Sequence, residues 1–220
     1  MHWDITSIDW VEIGFATLDS LYMVLAALPF TLLIGLPLGI IMFLTAQGGL
    51  LKKLWLYNIL SQIVNALRSM PFLILMVAVI PLSATVMGDV IGIRGVVLPL
   101  IIGAAPFFAR LVEIALREVD RGIIEAMQSL GATLWQIIYK GLLPEAFPGI
   151  VASITVTAIT LLAYSALSGA LGGGGLGELA IRYGYYRYET AVMVVTIVIL
   201  AIMVAIIQEL GDWLVRVVSH

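Results

Sequence analysis

The chain is organised around residues 125–144, which read EAMQSLGATLWQIIYKGLLP. The residues leading into this stretch and its first half carry apolar side chains at helical spacing: Ile123, Ile124, Met127 and Leu130. That spacing predicts a short amphipathic helix. Gly131 suits the left-handed residue that commonly follows a helix. We call the whole segment, from about residue 120 to 144, the bracket.

A second short helix is predicted in the bracket after Gly131. Thr133 stands three residues before Gln136, which is the spacing of a capping box and marks a helix start. The helix has an apolar face, formed by Leu134, Ile137, Ile138 and Leu142. Because Pro144 disfavours helical backbone at Leu143, we expect this helix to end there. By its residues alone, such a segment also fits an interfacial helix lying on lipid.

The composition places the bracket in a membrane protein. Of 220 residues, 62% are hydrophobic and only 11% are charged, which is too apolar for the surface of a soluble domain of this length. Charged residues leave five neutral windows, at 20–51, 69–88, 95–109, 146–177 and 190–208. A membrane span needs about 20 mostly apolar residues. The third window reaches this length only by including Arg110 and Glu113, which share a helix face and can pair. We therefore predict an all-α, polytopic protein with five transmembrane helices in one domain, residues 1–220.

The distribution of Lys and Arg predicts the orientation in the membrane. With five spans, eight of the 11 basic residues fall on one side: Lys52, Lys53, Arg68, Arg110, Arg117, Arg121, Lys140 and Arg216. The other side holds Arg94, Arg182 and Arg187. Because the basic side faces the cytoplasm, we expect an outer N-terminus, a cytoplasmic C-terminus and a cytoplasmic bracket.

The bracket resembles the EAA loop of permease subunits in bacterial ATP-driven importers. The resemblance is carried by Glu125-Ala126, Gly131 and Leu143-Pro144, while Met127 replaces the usual second alanine. From about residue 20 onward the chain is also similar to methionine-importer permeases. That similarity is carried by RSMPF (68–72), GAAPFFAR (103–110), LLPEAFPG (142–149) and YSALSGALGGGGLG (164–177).

The resemblance implies a function and a set of partners. In the family the loop is a coupling helix that sits in a groove of a separate ATPase subunit, so the matching residues are the predicted coupling residues: Glu125, Ala126, Gly131, Leu143 and Pro144. It implies a second copy of the chain, two cytoplasmic ATPase subunits that bind ATP and Mg²⁺, and an extracytoplasmic substrate-binding protein in a bacterial inner membrane. This chain itself would bind no cofactor.

Two groups of polar residues are candidates for the translocation path. The first is Asn65, Arg68 and Ser69; an arginine inside the membrane costs about 3 kcal/mol on insertion scales. Arg68 fits equally well as an anchor whose side chain reaches the interface. The second group is Tyr164, Ser165 and Ser168, although hydroxyls in a span commonly bond back to their own helix.

Small residues predict close packing at two places. Gly35 and Gly39 form a GxxxG pair that lets another helix approach, either within this chain or from a second copy. Ser165, Gly169, Gly173 and Gly177 recur every four residues. That period predicts a ladder of small side chains along one helical face, for a close helix contact or a flexible gate.

The sequence offers no enzyme chemistry. The only histidines are His2 and His220, there is no cysteine, and no P-loop is present for ATP hydrolysis. No basic patch of the kind that binds nucleic acid is present. We expect a transport subunit driven by a partner. Three alternatives stay open: a permease for another small amino acid, a passive facilitator, and a non-transporting membrane scaffold.

Overall fold

The computed structural model describes residues 8–51, 53–88 and 92–219, without the side chain of Met87, and all the regular structure in them is helical. The α-helices, in chain order, are α1 (Trp10–Thr45), α2 (Leu54–Ser69), α3 (Phe72–Met87), α4 (Ile93–Arg117), α5 (Arg121–Ser129), α6 (Leu134–Ile137), α7 (Leu143–Ser168), α8 (Gly175–Leu179) and α9 (Thr190–Val218). The predicted all-α class is confirmed.

Four helical stretches of the described chain are long and apolar enough to cross a membrane: α1, α4, α9 and the run from Leu134 to Leu171 that contains α7. A fifth candidate is a broken pair, α2 with α3, which passes the same test only when both parts are taken together. The break lies at Met70 and Pro71, where proline cannot donate the hydrogen bond that would continue α2. The count of five spans stays a prediction that requires the broken pair to act as one span.

The described residues form two compact units. The first unit draws on residues within 1–31, 70–104 and 158–208, and the second on residues within 32–69, 105–157 and 209–220. In the first unit, Met23, Phe72, Leu100 and Leu161 belong to one buried apolar core. In the second unit, the buried core includes Leu44, Phe108, Leu116, Ile138 and Leu142, which joins the bracket to α1 and α4. The expectation of one domain remains a prediction.

The GxxxG pair of α1 packs within the chain, in the second unit. A Cβ added to Gly35 would lie 2.7 Å from Phe108 Cδ1, and one added to Gly39 would lie 2.5 Å from the carbonyl oxygen of Ala109. Only hydrogen at these two positions allows α1 to approach the backbone of α4 so closely. Of the two readings of this motif, the structure supports contact inside one subunit.

The predicted glycine ladder is wrong. Helix α7 ends at Ser168, a 3-10 turn covers Gly169–Leu171, and Gly172 has φ = 75°. The chain then turns back so that Gly177 meets the backbone of Ala166, and α8 packs against the end of α7. The spacing of four is therefore not helical periodicity: the glycines supply left-handed backbone and close backbone contact in a tight turn.

A buried ion-pair network fixes α4 in the second unit. The Glu113 side chain is almost completely buried; it accepts hydrogen bonds from Arg110 Nη1 at 2.6 Å and from Arg117 Nη2 at 2.5 Å. Both arginines also donate to the hydroxyl of Tyr57 on α2, at 3.4 and 3.1 Å. The predicted Arg110–Glu113 pair is confirmed, and Arg117 and Tyr57 complete it.

The glycine contact generates a stability prediction. Gly39→Ala places a methyl group against Ala109 and Val112, so we expect it to lower the free energy of unfolding by about 1–3 kcal/mol. The matched control is Gly14→Ala in the same helix, where nothing lies within 4 Å of the new methyl group. The control should be neutral or stabilising by about 0.5–1 kcal/mol. Thermal unfolding of the protein in detergent measures both, and equal melting temperatures would contradict the packing.

The ion-pair network generates a second stability prediction. Glu113→Ala leaves two arginines without the carboxylate between them, and breaking such a buried pair should cost about 3 kcal/mol. Glu118→Ala, which removes an exposed carboxylate from the same region, should change stability by less than about 0.5 kcal/mol. The same unfolding assay tests this pair of variants. If both melt alike, the network does not hold α4.

Candidate functional site: the two-helix bracket and nearby polar residues

The first helix of the bracket begins directly after α4. The Asp120 carboxylate accepts a hydrogen bond from the backbone N–H of Gly122 at 2.7 Å and so caps α5. An acidic N-cap satisfies a backbone donor that has no partner inside the helix. Helices α4 and α5 are thus separated only by the short turn between Arg117 and Arg121, and the bracket is joined closely to α4.

The turn between the two bracket helices is closed by its own hydrogen bonds. Gly131 adopts φ = 74°, as predicted. Its N–H donates to the carbonyl of Gln128, and the N–H of Ala132 donates to the carbonyl of Met127, both at 3.0 Å. This pair of bonds is a Schellman motif, which needs a left-handed residue at the position of Gly131. The backbone of the turn therefore has one preferred path.

The second bracket helix starts with the predicted capping box. The Thr133 hydroxyl accepts from the N–H of Gln136 at 3.4 Å, and the Gln136 side chain accepts from the N–H of Thr133 at 2.8 Å. Ile137, Ile138 and Leu142 are buried, as expected for the apolar face. Leu130, which shares the spacing of the apolar row in α5, does not join a buried face and is 87% exposed.

The prediction that Pro144 ends this helix is wrong. A π turn covers Ile138–Leu142, and α7 begins at Leu143, whose backbone is helical with φ = −65° and ψ = −43°. In the π turn the N–H of Leu143 donates to the carbonyl of Ile138, five residues earlier. The wider turn and the start of α7 both tolerate a residue without an N–H, so Pro144 fits in the first turn of α7. The bracket consequently runs into α7 without a loop.

The two bracket helices are packed tightly against each other. A Cβ on Gly141 would lie 2.5 Å from the sulfur of Met127, so α5 rests closely on the π turn at this position. Farther along, a Cβ on Gly149 would lie 3.1 Å from Cβ of Ala115, where α7 meets α4. The first contact holds the two halves of the bracket together, and the second holds α7 to α4, the helices that leave and enter it.

The bracket presents an exposed surface of mixed chemistry. Glu125 and Ala126 of the EAA-like motif are exposed, as is Leu130. Trp135 is 67% exposed and Tyr139 is 61% exposed, and their rings stack with centroids 5.5 Å apart. Sequence reasoning missed this aromatic pair, although its spacing of four residues places both rings on one helix face. Exposed, preassembled aromatic rings are typical of surfaces that bind a protein partner.

The first group of predicted path residues lies at the end of α2. Asn65, Arg68 and Ser69 are all exposed. The Asn65 amide donates to Ser61 Oγ at 3.4 Å, and Ser69 Oγ donates to the carbonyl of Ala66. The Arg68 guanidinium lies 5.8 Å from the ring centroid of Phe107, which is a cation–π distance. These contacts leave the three side chains accessible at one end of a helix.

The second group of predicted path residues lies in α7, in the first unit. Tyr164 stacks on Phe72 with ring centroids 4.2 Å apart and an angle of 5° between the rings. Ser165 and Ser168 are fully buried, and their hydroxyls donate to the carbonyls of Leu162 and Ser165. The two groups of path residues belong to different units. Their role in translocation stays a prediction.

Known transport proteins are similar to this chain over most of its length. A family model described as "Binding-protein-dependent transport system inner membrane component" matches residues 35–220. A relative from Vibrio cholerae serotype O1, named a probable D-methionine transport system permease protein MetI, is 52% identical over 93% of this chain and 91% of its own length. A Bacillus subtilis relative, named methionine import system permease protein MetP, is 43% identical over 97% of this chain and 96% of its own length.

A solved structure shares this fold. A chain from the MetNI methionine ABC transporter, in an inward-facing conformation, superposes with a TM-score of 0.94. It is 44% identical, and the match covers 96% of this chain and 98% of that one. The resemblance to permease subunits of ATP-driven importers is thereby confirmed. The chain belongs to the family of binding-protein-dependent transport system inner membrane components.

Proposed function

We propose that this chain is the membrane-spanning subunit of an ATP-driven methionine importer and moves its substrate by alternating access. The observation that supports this most is the bracket itself. Its exposed surface, with Glu125, Leu130 and the Trp135–Tyr139 pair, is mounted on a turn closed by its own hydrogen bonds. Such a surface is suited to dock into a groove of a partner protein and to transmit the partner's movement without bending.

The connection of the bracket to its neighbouring helices supports a lever mechanism. Helix α4 leads into it through the short turn capped by Asp120, and α7 leaves it through the π turn with no loop between. When ATP binding draws two ATPase subunits together, each carries a bracket in a surface groove. The displacement then passes into α4 and α7, and the pathway changes the side to which it opens.

The proposed assembly contains more than this chain. Five helices are few to enclose a pathway, so two copies form it, and two cytoplasmic ATPase subunits bind ATP with Mg²⁺. An extracytoplasmic binding protein delivers the substrate. The excess of basic residues on one side of the predicted spans supports an orientation with the bracket and C-terminus in the cytoplasm and the N-terminus outside.

Methionine, as the D- or L-isomer or both, is proposed because the relatives that cover nearly all of the chain carry that substrate in their names. Asn65, Arg68, Ser69, Tyr164, Ser165 and Ser168 are the proposed path residues. Because specificity can reside in the binding protein, the pathway itself need hold the substrate only weakly.

Reconstitution tests the proposed function. In liposomes that contain this chain, its ATPase subunit and its binding protein, we expect labelled methionine to accumulate only when ATP is present on the ATPase side. Omitting ATP, or omitting the ATPase subunit, is the control. Uptake that persists in both controls would identify a passive facilitator. A preference for a different labelled amino acid would overturn the substrate assignment and keep the importer.

The bracket generates the mutational prediction. Glu125→Lys reverses an exposed charge at the proposed contact, and Gly131→Asp adds both a carboxylate and strain at φ = 74°. We expect both variants to insert normally and to keep hydrolysing ATP. Their uptake should fall to at most about one tenth of the wild-type value, which equals a loss of roughly 1.4 kcal/mol of coupling free energy. Uptake and ATP hydrolysis are measured on the same liposomes.

A matched glycine controls for backbone strain. Gly88 has φ = 77° and, like Gly131, nothing within 4 Å of an added Cβ. Gly88→Asp therefore imposes the same strain and charge away from the bracket, and it should keep near-normal uptake. Equal uptake by the wild type, Glu125→Lys and Gly131→Asp at equal subunit levels would show that the bracket has no part in the mechanism.

A further inference from the structure

A groove lies between α5, which is the first helix of the bracket, the end of α4 and the turn that follows α1. Its volume is about 370 Å³. Its apolar lining residues include Phe43, Leu116 and Ile124, all buried or half-buried. Polar and apolar groups both line the groove, which suits an amino-acid side chain with a polar end.

The rim of the groove is polar and carries both signs of charge. Gln47 lies on one side, on the turn after α1, and α5 supplies Arg121, Glu125 and Gln128 on the other side. The α5 residues follow one another at spacings of four and three, so they form one stripe along the helix. This stripe faces the groove, whereas Leu130 lies at the end of α5, beside the turn.

Among the groove-lining residues that the structure describes, Arg121 is the cation available to a partner. The other arginine at the groove, Arg117, is engaged by Glu113 and Tyr57. Arg121 and Glu125 are four residues apart, yet in the described part of the chain neither side chain makes an ion pair. The guanidinium of Arg121 lies near the turn instead, 3.9 Å from a Cβ built on Gly48. Both charges thus face the groove without a counter-ion among the described residues.

We infer that this groove receives a segment of the ATPase subunit in which an acidic side chain pairs with Arg121 beside a basic or polar one that meets Glu125. An anionic phospholipid headgroup fits the rim less well, because Glu125 repels its phosphate. Glu125 lines the groove and also belongs to the exposed surface of the bracket, so one partner can cover both. The inference rests on the proposed function and extends the ATPase contact from the bracket to the turn at residues 46–50.

Site-specific photo-crosslinking tests the contact in the assembled complex. The photoreactive residue p-benzoylphenylalanine is placed singly at exposed rim positions Gln47 and Gln128, at Leu130 on the bracket turn, and at Leu33 in the apolar middle of α1. Complexes with the ATPase subunit are irradiated in native lipid, and the adducts are identified by mass. We expect ATPase adducts from positions 47, 128 and 130, and none from position 33.

The outcomes separate the groove from the proposed function. ATPase adducts from position 130 with none from 47 or 128 would overturn the groove contact and leave the importer standing. Lipid adducts at 47 and 128 would overturn it in favour of a lipid site. The absence of ATPase adducts at all three positions would overturn the proposed function as well.

A charge variant tests the chemistry of the contact. Arg121→Glu should lower the crosslinking yield from position 47 about tenfold, because an acidic partner group is then repelled. Arg121→Lys keeps the charge and should keep most of the yield. The yield from position 130 in the same preparations reports whether the bracket still docks. Equal yields from position 47 for both variants would show that no acidic group meets Arg121.

Discussion

The unbroken backbone from the bracket into α7 is the feature on which the rest of the structure depends. A loop at this point would let the bracket swing without moving the span that follows it. The chain instead passes through a π turn, and Leu143 donates to the carbonyl of Ile138. Because Pro144 has no N–H to donate, a wide turn of this kind lets the helix continue without that hydrogen bond. Rotation of the bracket must therefore move α7.

Glycine at one buried position makes this connection stiff. Gly141 sits within the π turn, and a Cβ there would lie 2.5 Å from the sulfur of Met127. The first bracket helix is thus packed against the very residues that form the junction. On the other flank, Glu113 binds two arginines of α4, and both of these reach Tyr57. Packing and ion pairing together give the bracket a fixed base at each end.

Local turn chemistry in the bracket could be predicted from the sequence, because it depends on neighbouring residues only. Gly131, Thr133 and Gln136 each adopt the conformation or bond that their type and spacing imply. The effect of Pro144 could not be predicted, since it depends on whether the preceding turn can widen. The glycine series from Gly169 to Gly177 misled for a related reason: a period of four is helical only where φ is negative, and Gly172, Gly174 and Gly175 have positive φ.

The candidate path residues show a second reason why the site could not be fully predicted from the sequence. Residue type and position suggested Tyr164, Ser165 and Ser168, but hydrogen bonding and packing are set by neighbours that the sequence does not name. Tyr164 stacks on Phe72, and both serine hydroxyls already bond within α7. To donate to a substrate, each hydroxyl must first give up a bond whose net worth is about 1 kcal/mol. A substrate bond donated by either serine would therefore be weakened by about that amount.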